Sequence, residues 1–257
     1  MKRKRAFTLI ELLVVISIIA LLIGILLPTL GAARATALRM KSNSRVRGVH
    51  QACVQYAQGN QDKYPGLGAD EGYGAGTGFT NYWTTSRRFN ILMTANFFTP
   101  EYALSPAEDN GMTQWDHTSG QPSTQNFAFA MTRIGNGTEA TDASNHPGRR
   151  TEWGQTLNSE APVIYDRNTA ADTAPNAGNG EDARSIHSDR DWRGSVAYND
   201  NHTLYETNNE LQKETKFGAV VVNSNLNDDL FKDDDGNNAD GVDIKGSNAQ
   251  GIWRGAS

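Results

Sequence analysis

From Phe7 to Leu30 the chain is almost continuously apolar: 18 of these 24 residues are Phe, Leu, Ile, Val or Ala, and Glu11 is the only charge. In a helix, 24 residues span about 36 Å, enough to cross a hydrocarbon core about 30 Å thick. From Gly31 to about Tyr56 the pattern becomes amphipathic and Ala-rich, with no Pro. Ala33, Ala37, Met40, Val46, Val49, Cys53 and Tyr56 recur there at three- and four-residue steps. One continuous helix from Phe7 to about Gln58 is predicted, its second half packed on a head domain, with Gly59-Asn60 as its stop.

The remainder is polar and broken into short pieces. Lys63 to Phe79 carries Gly66, Gly68, Gly72, Gly74, Gly76 and Gly78 and reads as a loop. It follows no clear strand and does not spell the dinucleotide fingerprint, so it is no phosphate cradle. Thr85 to about Phe97 reads as a short helix ended by the Phe97–Pro106 stretch. Candidate strands are Asn126–Arg133, Pro162–Tyr165, Ser195–Tyr198, Thr203–Glu206 and Phe217–Val222. Gly135–Arg150 and Thr169–Arg190 are polar connections. The expected fold class is α+β: a long N-terminal helix, its outer half packed on a small antiparallel sheet with long irregular loops.

Charge narrows the function. The chain has 24 Lys+Arg against 29 Asp+Glu, and Lys2, Arg3, Lys4 and Arg5 precede the apolar block; without them the balance is 20 − 29 = −9. An acidic body without clustered Lys/Arg excludes nucleic acid as a partner. The single Cys53 excludes an internal disulfide and a Cys-rich zinc site. The apolar block excludes a freely soluble cytoplasmic protein. Lys2–Arg5 place the N-terminus in the cytoplasm and the body outside. The positives after the block (Arg34, Arg39, Lys41, Arg45 and Arg47) oppose this but are spread over fourteen residues.

Three readings compete for the N-terminus. A secretory signal finds small-residue sites at Ala33-Arg34-Ala35 and Ala35-Thr36-Ala37, but its apolar stretch is normally 7–15 residues. A plain signal anchor fits the length and leaves Glu11 unexplained. An ionisable group costs about 2.5–3.5 kcal/mol at the centre of a membrane helix, which marks function and a partner. Glu11 lies about 6 Å along the helix from Phe7, so its cost is lower.

The third reading rests on Lys4-Arg5-Ala6-Phe7-Thr8-Leu9-Ile10-Glu11-Leu12-Leu13-Val14-Val15-Ile16. This run resembles the class III leader of type IV pilins and type II secretion pseudopilins. The resemblance implies that a prepilin peptidase cuts between Ala6 and Phe7 and methylates the new Phe7 amine, leaving 251 of 257 residues. Glu11 becomes the fifth mature residue and Pro28 the twenty-second, as the family pattern requires; Ala6 stands where Gly is usual. The implied organisation is a cleaved leader (1–6), a transmembrane and assembly helix (7–30), its amphipathic continuation (31–58) and an extracytoplasmic head (59–257).

In a filament Glu11 can pair with the Phe7 amine of a neighbouring subunit; alternatively it pairs with its own chain's amine. A buried pair adds modest stability but penalises wrong register. Pro28 removes the bond to the Gly24 carbonyl. It either weakens the helix there or marks the membrane exit. Leu104–Asp109, Asn126–Met131 and Gly194–Thr203 resemble large pseudopilin-like proteins that end in a strand–Asp-Gly-His–strand hairpin, with Asn201 in the Gly position. Asn also tolerates the positive φ such a turn demands.

Catalytic chemistry finds little footing. Asp200 and His202 flank a turn and read as turn chemistry. His187 with Asp189 and Asp191 lacks a convincing third ligand, and Asp116-His117 has no partner Ser. No G-x-S-x-G, H-E-x-x-H or Walker pattern occurs. The C-terminal acidic stretch offers Asp233, Asp235, Asn237, Asp240 and Asp243 as hard oxygen ligands for calcium, outside the EF-hand register; the competing reading is a solvated acidic loop.

The expected function is therefore structural, not enzymatic. The resemblance implies a pseudopilin in the bacterial inner membrane, head in the periplasm. Its partners would be prepilin peptidase, other pilins or pseudopilins, an inner-membrane assembly platform and lipid. The alternatives are a type IV pilin of a surface fibre and a membrane-anchored calcium-dependent binding domain that never polymerises.

Overall fold

A computed structural model of the chain describes residues 8–67, 85–108, 112–116, 122, 125–132, 153–167, 185–188, 190–208, 210–211 and 228–229. They form helix α1 (Leu9–Gln58), helix α2 (Thr85–Thr94), a 3-10 turn (Pro100–Ala103) and six strands. The strands are β1 (Phe129–Met131), β2 (Pro162–Asp166), β3 (Gly194–Tyr198), β4 (Thr203–Glu206), β5 (Glu210–Leu211) and β6 (Asp228–Asp229). The chain divides into two compact units, Met1–Met40 and Lys41–Ser257.

In the first unit α1 is all there is to describe, and every side chain from Thr8 to Ala37 is exposed. Leu9, Leu13, Ile16, Leu21, Ile25, Leu27 and Leu30 face outward around the whole cylinder. By length and composition this helix can cross a membrane. It runs unbroken through Pro28.

The second unit takes α1 from Lys41 onward. Val46, Val49, Ala52, Cys53, Tyr56 and Ala57 are buried, so the three- and four-residue rhythm holds from Ser42. Ala33, Ala37 and Met40, expected on the same stripe, are exposed. The helix ends as its Gly-Asn pair predicts: Gly59 and Asn60 donate to the carbonyls of Tyr56 and Ala57, and Gln61 and Asp62 turn to φ 57° and 59°. Lys63 then pairs with Gly154. A Cβ at Gly154 would stand 2.7 Å from the Asp62 carbonyl oxygen, so only glycine permits this approach.

Strands β1–β4 form one antiparallel meander in that order. Met131, Ile164 and Ala197 stand in line across three strands and join the core with α1 and α2. Every residue of β1, β2 and β3 is buried, whereas β4 is partly exposed. Thr203–Glu206 has the expected bounds; the other three are the expected strands with ends shifted by one to three residues. The helix expected to reach Phe97 ends at Thr94. Strands β5 and β6 pair with each other, so the acidic stretch begins in a strand at Asp228–Asp229. Phe217–Val222 lies outside the described residues.

The core is aromatic and holds buried cations. Phe89 stacks on Phe127 with centroids 4.8 Å apart, and Tyr64 meets Trp153 edge-on at 5.5 Å. Arg88, fully buried in α2, lies 4.5 Å over the Trp153 ring and donates to the Thr132 carbonyl. Burial pulls its guanidinium down to about 9 and pushes the buried Cys53 thiol up to about 12, so that thiol is inert at neutral pH.

Candidate functional site

The N-terminus of α1 is closed by its own side chains. The Thr8 backbone N–H and hydroxyl both donate to Glu11 Oε2 at 2.8 Å, and the Glu11 N–H donates back to Thr8 Oγ1 at 3.3 Å. This is a capping box, Thr at the cap and Glu three residues on. A cut between Ala6 and Phe7 would leave every group in it intact. Among the described residues nothing bonds Glu11 Oε1, which faces outward with the exposed apolar helix. Near Pro28, the Thr29 hydroxyl donates to the Leu26 carbonyl at 2.8 Å.

In the head two polar constellations tie α1 to the sheet. The first centres on the β3–β4 turn. Asn201 sits at φ 69°, the left-handed conformation the turn requires. Its side-chain Oδ1 is 3.1 Å from His50 Nδ1, and His50 Nε2 is 3.0 Å from the Tyr64 hydroxyl. Tyr64 donates to Asn199 Oδ1 at 2.7 Å, and the Asn199 amide donates to Thr156 Oγ1 at 2.9 Å. Asp200 accepts from the His202 N–H at 3.0 Å and touches the ring Nδ1 at 2.5 Å, while the His202 ring stacks on Tyr198 at 4.4 Å. The Asp200–His202 pair is thus turn chemistry, as expected.

The second constellation centres on Asp166, at the end of β2 and fully buried. Ser42 of α1 donates to Oδ1 at 2.8 Å, and the Ser195 N–H donates to Oδ2 at 2.7 Å. His187 Nε2 stands 3.3 Å from Oδ2. Trp192 donates its indole N–H to the Asp166 carbonyl at 3.1 Å. A Cβ at Gly194 would stand 2.7 Å from both Asp166 Cβ and Trp192, so the pleat closes here only around glycine. Ser42, the Ser195 N–H and His187 each address Asp166, and among the described residues the His187 ring meets no serine hydroxyl, which gives no nucleophile–base pair here.

Residues 1–27 match the family model described as the prokaryotic N-terminal methylation motif. The chain carries the prepilin-type motif of type IV pilins and pseudopilins. No curated protein and no solved structure matches the chain. The motif implies processing by prepilin peptidase and pilin-like assembly, and with the apolar helix it fits a membrane-anchored pilin-like protein. It marks a family that is generally structural and non-enzymatic.

Against this pilin-like frame the residues singled out by sequence fall as follows. Ala6 and Phe7 lie outside the described residues, immediately before the capping box, and Pro28 lies within α1. Asp233, Asp235, Asn237, Asp240 and Asp243 lie outside the described residues. Among the described residues no group of three His, Cys, Asp or Glu side chains could hold a metal ion. His187 with Asp189 and Asp191 reads from the sequence as lacking a convincing third ligand, and the described residues show where His187 and Asp191 go. The His187 ring goes to Asp166, while Asp191 accepts from Ser188 and from Arg193, the latter at 2.8 Å. Asp189 and His117 lie outside the described residues. Arg45 donates to the Glu101 and Leu104 carbonyls at the 3-10 turn, while Arg47 is solvated. The capping box, Asp166 and the His50 relay were missed. Only the first had a local signature, Thr-x-x-Glu before an apolar run.

Proposed function

We propose that the chain is a pseudopilin, a structural subunit cut by prepilin peptidase between Ala6 and Phe7 and N-methylated at Phe7. It assembles with other pilins or pseudopilins, on an inner-membrane platform, into a short periplasmic filament of a type II secretion or type IV pilus-like machine. Its N-terminus is cytoplasmic and its head periplasmic. The observation that carries this reading is the methylation motif running directly into a 50-residue helix whose apolar part is exposed on all sides. Such a surface needs lipid before assembly and other helices after it.

Glu11 fits a double role in this reading. One oxygen caps its own helix through Thr8, and a carboxylate offers about four acceptor positions. The Phe7 amine of a neighbour can take Oε1 without opening the cap. Mispairing would leave a charge buried without its partner, at a cost of about 3–5 kcal/mol. Pro28 marks the membrane exit within an intact helix. The acidic stretch at Asp233–Asp243 enters as a calcium loop on its ligand chemistry alone.

N-terminal sequencing of the protein recovered from membranes tests the reading. The expected product begins with N-methylated Phe7; a start between Ala35 and Leu38 would identify a secretory signal instead, and an intact Met1 would remove the assembly step.

A further inference from the structure

The groups around His50 fix its protonation more closely than the ring itself does. Tyr64 gives its single proton to Asn199 Oδ1, and the Asn199 amide gives a proton on to Thr156. The tyrosine oxygen can then only accept, so His50 Nε2 carries a proton. The other ring nitrogen faces Asn201 Oδ1, an acceptor, which calls for a second proton. As they stand, these four side chains suit an imidazolium.

Burial opposes that charge. It is the largest influence on His50 and holds its pKa below the usual imidazole value, against smaller opposing effects of the Asn201 bond and the Asp200 charge. In the neutral ring with Nε2–H, Nδ1 is a lone pair and needs a donor. A half-turn of the Asn201 amide supplies one, because its oxygen and nitrogen are equivalent in shape. The other three links stay as they are.

We propose that Asn201 is a two-way contact that holds the β3–β4 turn to α1 in both protonation states of His50. Its NH2 donates to Nδ1 when the ring is neutral, and its carbonyl oxygen accepts from Nδ1–H when the ring is charged. Among the described residues, the titratable groups that face His50 are Tyr64 from the segment after α1 and Asp200 from the turn itself. Asp200 is already held by the His202 N–H and ring, so it lends charge but no direct bond. Glycine at 201 would satisfy the φ of 69° equally well; what it lacks is the amide. The device belongs to the head and does not depend on polymerisation.

The test uses the full-length protein in detergent micelles, 15N-labelled at its five histidines and titrated by long-range 1H–15N correlation. His50→Gln assigns the signal. The neutral ring is expected as the Nε2–H tautomer. Exchange protection of the Tyr198 and Asn201 amides, corrected for intrinsic rates and taken relative to the β2–β3 amides that report any loss of stability of the whole head, is expected to hold within about twofold across the titration, because a lost hydrogen bond of about 1 kcal/mol would change it roughly fivefold. Asn201→Asp, which can only accept, is expected to raise the His50 midpoint above that of the unmodified protein. An Nδ1–H neutral tautomer would overturn the proposal, since the relay would then run backwards through a turned Asn199. So would an unchanged His50 midpoint in Asn201→Asp, or loss of the turn's protection relative to the β2–β3 amides as His50 protonates, which would mean that the turn is released.

Discussion

Asp166→Ala is the substitution expected to damage the head most. Asp166 has no exposed surface, and its two oxygens take the Ser42 hydroxyl from α1 and the Ser195 N–H from β3 while facing His187. Removing the carboxylate strands two buried donors and a buried imidazole together, and the packing of Gly194 and Trp192 against it prevents easy collapse. Each buried donor left without its acceptor costs about 1–3 kcal/mol, and two of them are a large share of the roughly 5–15 kcal/mol that stabilises a typical domain. Ser42→Ala removes only one hydrogen bond to the charged group, about 1.5–3 kcal/mol. Asp166→Asn keeps the shape, and Ser42 can turn to accept, so its loss falls between the two. Urea unfolding in detergent micelles, followed by tryptophan fluorescence, measures all three. Trp153 and Trp192 are buried in the head, and the apolar block contains no tryptophan. If Asp166→Ala shifts stability by less than about 0.5 kcal/mol, the hub is not holding helix to sheet and the reasoning fails.

The head is also expected to weaken in acid. His50 is held below its ordinary value of 6.5 when folded, so below that pH the unfolded chain binds more protons. Its contribution is complete above about pH 6.5 and is lost as pH falls through the folded value; urea midpoints at pH 7.5 and 5 should differ, and His50→Gln should reduce the difference. Glu11→Ala should insert normally yet fail to enter filaments in a pull-down of assembled subunits, whereas Thr8→Ala should lose about 1 kcal/mol of helix capping and still assemble. Normal assembly of the Glu11 variant would exclude pairing with the neighbour's amine. Saturating calcium should raise the melting temperature of the full-length protein, and Asp235→Ala with Asp240→Ala should abolish the rise; a melting curve indifferent to calcium ends the metal reading.

What could be read from the sequence follows the range of the interactions involved. The apolar part of α1 is written in consecutive residues, so periodicity and spacing sufficed for the helix and its stop at Gly59-Asn60, and its capping box, though missed, needs only Thr8 and Glu11. The four strands of the meander were legible because apolar runs such as Val163-Ile164-Tyr165 are bounded by turn residues, but their ends depended on partners. Burial on both faces of β1–β3 blurs the alternation that would have marked them.

The polar interior was not legible, for a physical reason. Ser42 lies 124 positions from Asp166, and His50 lies 151 from Asn201; these pairs exist only once the meander has closed against α1. Before closure each residue reads as an ordinary surface polar group. His187 shows the same range, since local spacing gave it no convincing partner set while its ring meets a carboxylate 21 positions back. Arg88 is equally non-local: it sits in a short helix yet is fully buried over Trp153, 65 positions on. A hydrophobic core poor in aliphatic residues has to be completed by paired polar groups, and those pairings are non-local. The N-terminal helix is therefore specified by local pattern, and the unit from Lys41 onward by long-range hydrogen bonds. That division makes the Asp166 and His50 measurements the sharper tests of the fold, and N-terminal processing the sharper test of function.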